Sequence, residues 1–128
     1  MVKTTTHNIE IAVESKYWPG HSIPKESHYF FVYYITITNH SDCTVKLLKR
    51  HWDIKDSNGE KRMVDGDGVV GETPVLEPGQ RFEYNSGCNL QTEIGYMSGY
   101  YTFTNLAENR EFDVEIPRFD LVVPAKLN

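Results

Sequence analysis

At 128 residues the chain has the length of one ordinary domain and can bury a full core without disulfides or metal. Its 13 Lys and Arg against 18 Asp and Glu give a formal net charge of -5, which argues against a broad electrostatic grip on nucleic acid or anionic lipid. Only two cysteines are present, Cys43 and Cys88, far apart and in no metal-ligand spacing, so neither a disulfide scaffold nor a bound zinc is expected, and no cofactor is implied.

The chain opens on Met1 to Glu10, with one Lys and no apolar core of signal-peptide length, and no later run approaches the roughly 18 apolar residues of a membrane span. The expectation is a cytoplasmic protein of one domain, residues 1–128, bound to neither membrane nor nucleic acid. Ile9, Ile11 and Val13 alternate with Glu10, Ala12 and Glu14, which predicts a strand with one buried face; Trp18, Pro19, Gly20, His21 and Pro24 mark the loop after it. From His28 to Asn39 both faces are apolar for part of the length, Phe31, Tyr33, Ile35 and Ile37 on one and Phe30, Val32 and Tyr34 on the other, as in a central strand. From Cys43 to Asp56 the apolar parity switches between Leu47 and Leu48, and a bulge there restores a single inward face carrying Trp52 and Ile54.

Asn58-Gly59 predicts a hairpin into Arg62-Met63-Val64, because both residues tolerate positive φ. The stretch from Asp65 to Gly79 is too rich in Gly and Pro for a helix, and Pro78-Gly79 turns the chain into a strand at Arg81 to Asn85. A last pair, Gly95 to Thr104 and Arg110 to Ile116, puts Met97, Tyr101 and Phe103 inward and leaves Tyr96 and Tyr100 for solvent or a partner. About seven strands with turn signals between them make an all-β antiparallel β-sandwich of fibronectin type III or immunoglobulin-like kind. The fibronectin variant is preferred because Cys43 opens a strand and Cys88 is placed in a turn, so the inter-sheet cysteine pair of immunoglobulins is missing.

Gly66-Asp67-Gly68-Val69-Val70-Gly71 matches G-x-G-x-x-G, but Pro74 and Pro78 leave no room for the helix that pattern needs, and Asp65 and Asp67 repel phosphate. The simple reading is tight loop geometry; the alternative is a nest of unpaired amides for a small anion, or carboxylates for a divalent cation. His51 and Asp53 share one strand face and Arg50 and Trp52 the other. A hydrolytic set of His51 and Asp53 with Ser86 or Cys88 is the weakest reading, because Tyr84-Asn85-Ser86-Gly87-Cys88 is no nucleophile elbow.

Ser27-His28-Tyr29-Phe30-Phe31, Leu47-Leu48-Lys49-Arg50-His51-Trp52, the Gly66 to Gly71 motif, Leu76-Glu77-Pro78-Gly79, Tyr84-Asn85-Ser86-Gly87-Cys88 and Ile116-Pro117-Arg118-Phe119 together resemble the ApaG family, in order and across almost the whole chain. The resemblance implies a fibronectin type III-like sandwich that stands alone in bacteria and mediates protein contacts within larger eukaryotic F-box and DNA-polymerase-interacting proteins. For bacterial members it also implies an association with cobalt and magnesium tolerance. The chain departs from the family pattern at Asp67, where Pro is common, and this makes the loop more acidic. The functional expectation is a non-enzymatic module binding a protein partner through Gly66, Asp67, Gly68 and Gly71 with Arg50, His51, Ser86, Gly87 and Cys88. A sensor for pyrophosphate, nucleotide or a divalent cation at the same loop is the alternative.

Overall fold

The computed structural model, which describes residues 1–124, contains nine strands among those residues. They are β1 (Val2–Thr6), β2 (Ile9–Tyr17), β3 (Tyr29–Asn39), β4 (Val45–Asp56), β5 (Lys61–Asp67), β6 (Val75–Leu76), β7 (Arg81–Leu90), β8 (Ile94–Asn105) and β9 (Arg110–Val122). The loop before β3 holds two short 3-10 turns, Pro19–His21 and Pro24–Glu26, each opened by its proline.

All pairings are antiparallel and fall into two sheets, a four-stranded one in the order β1-β2-β3-β7 and a five-stranded one in the order β5-β4-β8-β9, with β6 added beside the start of β4. After β4 the chain stays in its sheet as β5, then crosses to the first sheet as β7 and returns as β8. Keeping β5 beside β4 is the fibronectin arrangement; in an immunoglobulin constant domain the strand after the corresponding one joins the opposite sheet.

Strict alternation aims Ile9, Ile11 and Val13 of β2 and Phe31, Tyr33, Ile35 and Ile37 of β3 at one shared core. The facing sheet contributes Trp52, Met97, Tyr101, Phe103, Val114 and Ile116. Trp52, 3% exposed, is the keystone: its ring lies 5.3 Å from that of Tyr33, 5.9 Å from Phe119 and 6.4 Å from Tyr101, all at steep angles. One buried polar side chain pins the connections. Asn39 donates to the carbonyls of Cys43 (2.8 Å) and Leu76 (3.0 Å), and its Oδ1 accepts from the Ser41 amide (2.9 Å), so the turn out of β3 and the short β6 are held by one amide group.

The expected bulge in β4 is present between Leu47 and Lys49. So is the Asn58-Gly59 hairpin, whose three-residue loop, 57–59, is closed by the Asp56 amide donating to the Glu60 carbonyl, with Gly59 left-handed. Other expectations need correction. Two strands lie outside the expected seven. β1 is threonine-rich and joins β2 through a tight turn in which His7 and Asn8 both have positive φ; β6 is only two residues long. Cys88 and the Ser86-Gly87 pair are not in a turn but inside β7, which runs on to Leu90. Gly87 is there because the Phe30 ring lies across it, leaving no room for a Cβ.

The two sides of the sandwich differ. β9 is covered by β1 and β2, with Ser15 Oγ donating to the Asp120 carbonyl at 2.9 Å and the Glu115 amide donating to Thr6 Oγ1 at 3.4 Å. On the far side β5 is the edge strand, and from it the Arg62 guanidinium donates to the Asn89 carbonyl and reaches Cys88 Sγ at 3.6 Å. Among the described residues no helix is long and apolar enough to cross a membrane.

Candidate functional site

The glycine motif is a strand followed by a hairpin tip. Asp65, Gly66 and Asp67 belong to β5, opposite His51, Arg50 and Lys49 of β4. Val69 and Glu72 then exchange two backbone hydrogen bonds of 2.8 Å around Val70 (φ 43°) and Gly71 (φ 81°). Two consecutive left-handed residues define a type I′ turn, which asks for Gly or Asn; Gly71 supplies one, and Val70 is held there although β-branched. Val69 at the tip's base is fully buried and ties the hairpin to the core.

Each remaining glycine of the motif makes room for a specific neighbour. The Arg50 guanidinium lies flat against Gly66, where a Cβ would stand 2.7 Å from Cζ. From there Nη1 donates to the carbonyls of Asp67 (2.9 Å) and Gly68 (3.0 Å). Gly68, at φ 61°, donates its amide to the Leu48 carbonyl (2.8 Å). The amides of Gly68, Val69 and Glu72, three donors that an anion nest would use, are thus paired within the protein, and the Arg50 fork is committed to backbone carbonyls. The hairpin tip is closed by its own backbone pairs. Among the described residues no group of three His, Cys, Asp or Glu side chains is placed to hold a metal ion.

Arg50 and His51 project from opposite faces of the sheet. On its inner face Arg50 neighbours the hydroxyls of Tyr33, Tyr84 and Tyr101, of which the last two are hydrogen-bonded to each other. Burial raises the pKa of all three phenols and keeps them neutral. Ser86 pairs with Tyr33 across β3 and β7, also on the inside.

Cys88 is 6% exposed, and burial pushes its thiol up to about 11, against the partial counter-effect of Arg62. A neutral, buried thiol is the opposite of an activated nucleophile. Ser86, Gly87 and Cys88 therefore do not join the patch expected from the sequence. They lie in the other sheet, and neither Ser86 nor Cys88 faces His51.

His51 faces outward. Its Nδ1 is 2.6 Å from Asp65 Oδ1 and its Nε2 is 3.2 Å from Asp53 Oδ2, while its ring stacks on Tyr100 with centroids 4.8 Å apart and planes at 21°. Both ring nitrogens face carboxylates, so the imidazolium is favoured: the hydrogen bond to Asp65 raises the His51 pKa most, burial opposes it, and Asp53 adds to the rise. A pKa raised on folding stabilises the fold fully below the unfolded value of about 6.5 and ceases to do so as pH climbs through the folded value. The side chain is 16% exposed and Asp65 72%, so solvent screening holds the contribution to about 1 kcal/mol at most. An NMR titration should find the His51 pKa raised from the ordinary histidine value. Asp65→Asn should lower it, and the stability gap between wild type and Asp65→Asn should be largest near pH 5.5 and shrink toward pH 8.

Around this stack the outer face of the five-stranded sheet is continuous. His51, Asp65, Gly66, Tyr100 and Thr102 line one depression of about 330 Å³; Asp53, Lys55, Met63, Tyr96 and Ser98 line another of about 440 Å³. Met63 is 72% exposed, and the Arg118 guanidinium sits 3.8 Å above the Tyr96 ring. The expectation that Tyr96 and Tyr100 face away from the core is met. Met63 and Arg118 had no place in the expected patch. Once the hairpin loop is known to have three residues, strand register puts Asp65 opposite His51 and Met63 opposite Asp53.

The family model of the ApaG domain matches residues 19–105. A protein named ApaG from Rhodopseudomonas palustris (strain TIE-1) is 44% identical over 124 residues, covering 97% of this chain and 95% of its own length. Another, from Bdellovibrio bacteriovorus, is 43% identical over 128 residues, all of both chains. The crystal structure of a Bordetella pertussis protein described as ApaA is similar with a TM-score of 0.88 at 38% identity, over 94% of this chain and 97% of that one.

Proposed function

The chain belongs to the ApaG domain family, and from that premise we propose that it acts as a non-catalytic interaction module whose protein partner docks on the outer face of the sheet β5-β4-β8-β9. One observation carries the reading: that face gathers the His51–Tyr100 stack, the Arg118–Tyr96 pair and exposed Met63. Tyr, Arg and Met are the residue types enriched in the buried centres of protein interfaces. Lys49, Lys55, Asp53 and Asp113 around them provide a polar rim of both signs. On this reading the link to cobalt and magnesium tolerance runs through the partner rather than through an ion held by this chain.

The test is affinity capture from the native host with three baits: wild type, Tyr96→Ala/Tyr100→Ala, and Tyr34→Ala on the outer face of the other sheet. Interface anchors of this kind contribute about 2 kcal/mol or more, so specific partners should fall at least roughly tenfold with the double variant and persist with Tyr34→Ala. Equal recovery with all three baits would rule out this face.

A further inference from the structure

We propose that the free edge of β5 pairs with the same edge of a second copy of this chain, forming a two-fold dimer in which the five-stranded sheets become continuous. The Asp56 amide donates to the Glu60 carbonyl and the Gly68 amide to the Leu48 carbonyl, so even-numbered residues of this strand direct their backbone groups toward β4. By alternation the amides and carbonyls of Lys61, Met63, Asp65 and Asp67 point the other way, where the sheet has no further strand. Every residue of β5 except Gly66 is exposed. Such an edge is a ready template for strand addition.

The sequence of the strand identifies the occupant. Lys61-Arg62-Met63-Val64-Asp65-Gly66-Asp67 is basic at one end, apolar in the middle and acidic at the other. Antiparallel pairing with itself about Val64 sets Lys61 opposite Asp67 and Met63 opposite Asp65, twice each by symmetry. These are all outward-directed residues, so each pair exchanges backbone hydrogen bonds, and no like charges stand directly opposite. A parallel, in-register pairing would stack Lys on Lys and Asp on Asp. The Asp67 carbonyl already accepts from Arg50, but its second lone pair is available to a strand partner. Because β1 and β2 cover the opposite end of the sheet, growth of this sheet stops at two copies rather than continuing into a fibre.

One strand pair buries little area, so the dimer belongs to the weak, transient class, with a dissociation constant on the order of 100 μM. Sedimentation velocity of the full chain from about 10 μM to 1 mM should show reversible dimerisation that weakens with added salt. Lys61→Glu alone and Asp67→Lys alone each place like charges across both symmetry-related contacts, and each should weaken the dimer by roughly tenfold. An equimolar mixture of the two variants restores opposite charges at both contacts and should recover wild-type association as a heterodimer. Circular dichroism confirms that the variants are folded. A wild type monomeric up to 1 mM, or variants whose mixture associates no better than either alone, would overturn the proposal. Lys61 and Asp67 border the depressions that hold Tyr96 and Tyr100, so the two tests are separated by readout: self-association of the purified chain here, capture of host proteins for the docking face.

Discussion

Trp52→Ala should cost about 3–5 kcal/mol of folding stability, the range for deleting a fully buried aromatic ring. The reason is placement. Trp52 lies on the central strand β4 and meets Tyr33 of the opposite sheet as well as Tyr101 and Phe119 of its own, so its removal opens a cavity between layers that are stiff at that point. Domains of this size are stable by only about 5–15 kcal/mol, and the midpoint of thermal unfolding should fall by roughly 10 to 20 °C. Trp52→Phe keeps much of the ring volume and should cost markedly less. Denaturant titration with an unchanged m-value would locate the loss in the native state; a loss below about 1 kcal/mol for the alanine variant would show that the sheets close over the gap.

Gly68→Ala should cost about 2–4 kcal/mol, while Gly71→Ala, three residues on, should cost only about 1 kcal/mol. Both glycines are left-handed, at φ 61° and 81°, so both alanines carry the penalty of that conformation. They differ in their surroundings. A Cβ at Gly68 would stand 2.2 Å from the Glu72 carbonyl oxygen, which is backbone held by the Val69 pairing, whereas a Cβ at Gly71 meets nothing within 4 Å. The hairpin must open to admit a methyl group at Gly68, and opening it exposes Val69. Equal costs at the two positions would mean that the tip is not rigid in solution, and protease sensitivity in this segment would then rise to match.

These glycines show where the sequence was legible and where it was not. Strand alternation is a local signal, so the faces of β2, β3, β8 and β9, the inward Trp52 and the bulge at Leu48 could be read directly. The motif Gly66 to Gly71 could not, because what it makes room for, the Arg50 guanidinium and the Glu72 carbonyl, is decided by pairing between strands. Ser86-Gly87 has the composition of a turn, yet Gly87 answers to Phe30 across the sheet. β1 escaped notice because its threonines carry little hydrophobic pattern, and it exists through the left-handed turn at His7 and Asn8. The candidate site depends on register: placing a two-residue turn at Asn58-Gly59 shifts β5 by one residue, and Asp65 is then no longer opposite His51.

The contact that closes the covered side of the sandwich joins the first and last strands. Thr6 and Glu115 are separated by 109 positions in the chain, and Ser15 and Asp120 by 105. Closing loops of that length delays a native contact, and a topology governed by such pairings folds slowly for its size. On the ribosome, the four-stranded sheet can assemble once β7 has emerged, but its partner must wait for β9. The nascent chain therefore passes through a stage in which half of the sandwich presents its apolar inner face, and the interval before the final strand arrives is when this protein is most exposed to misassembly.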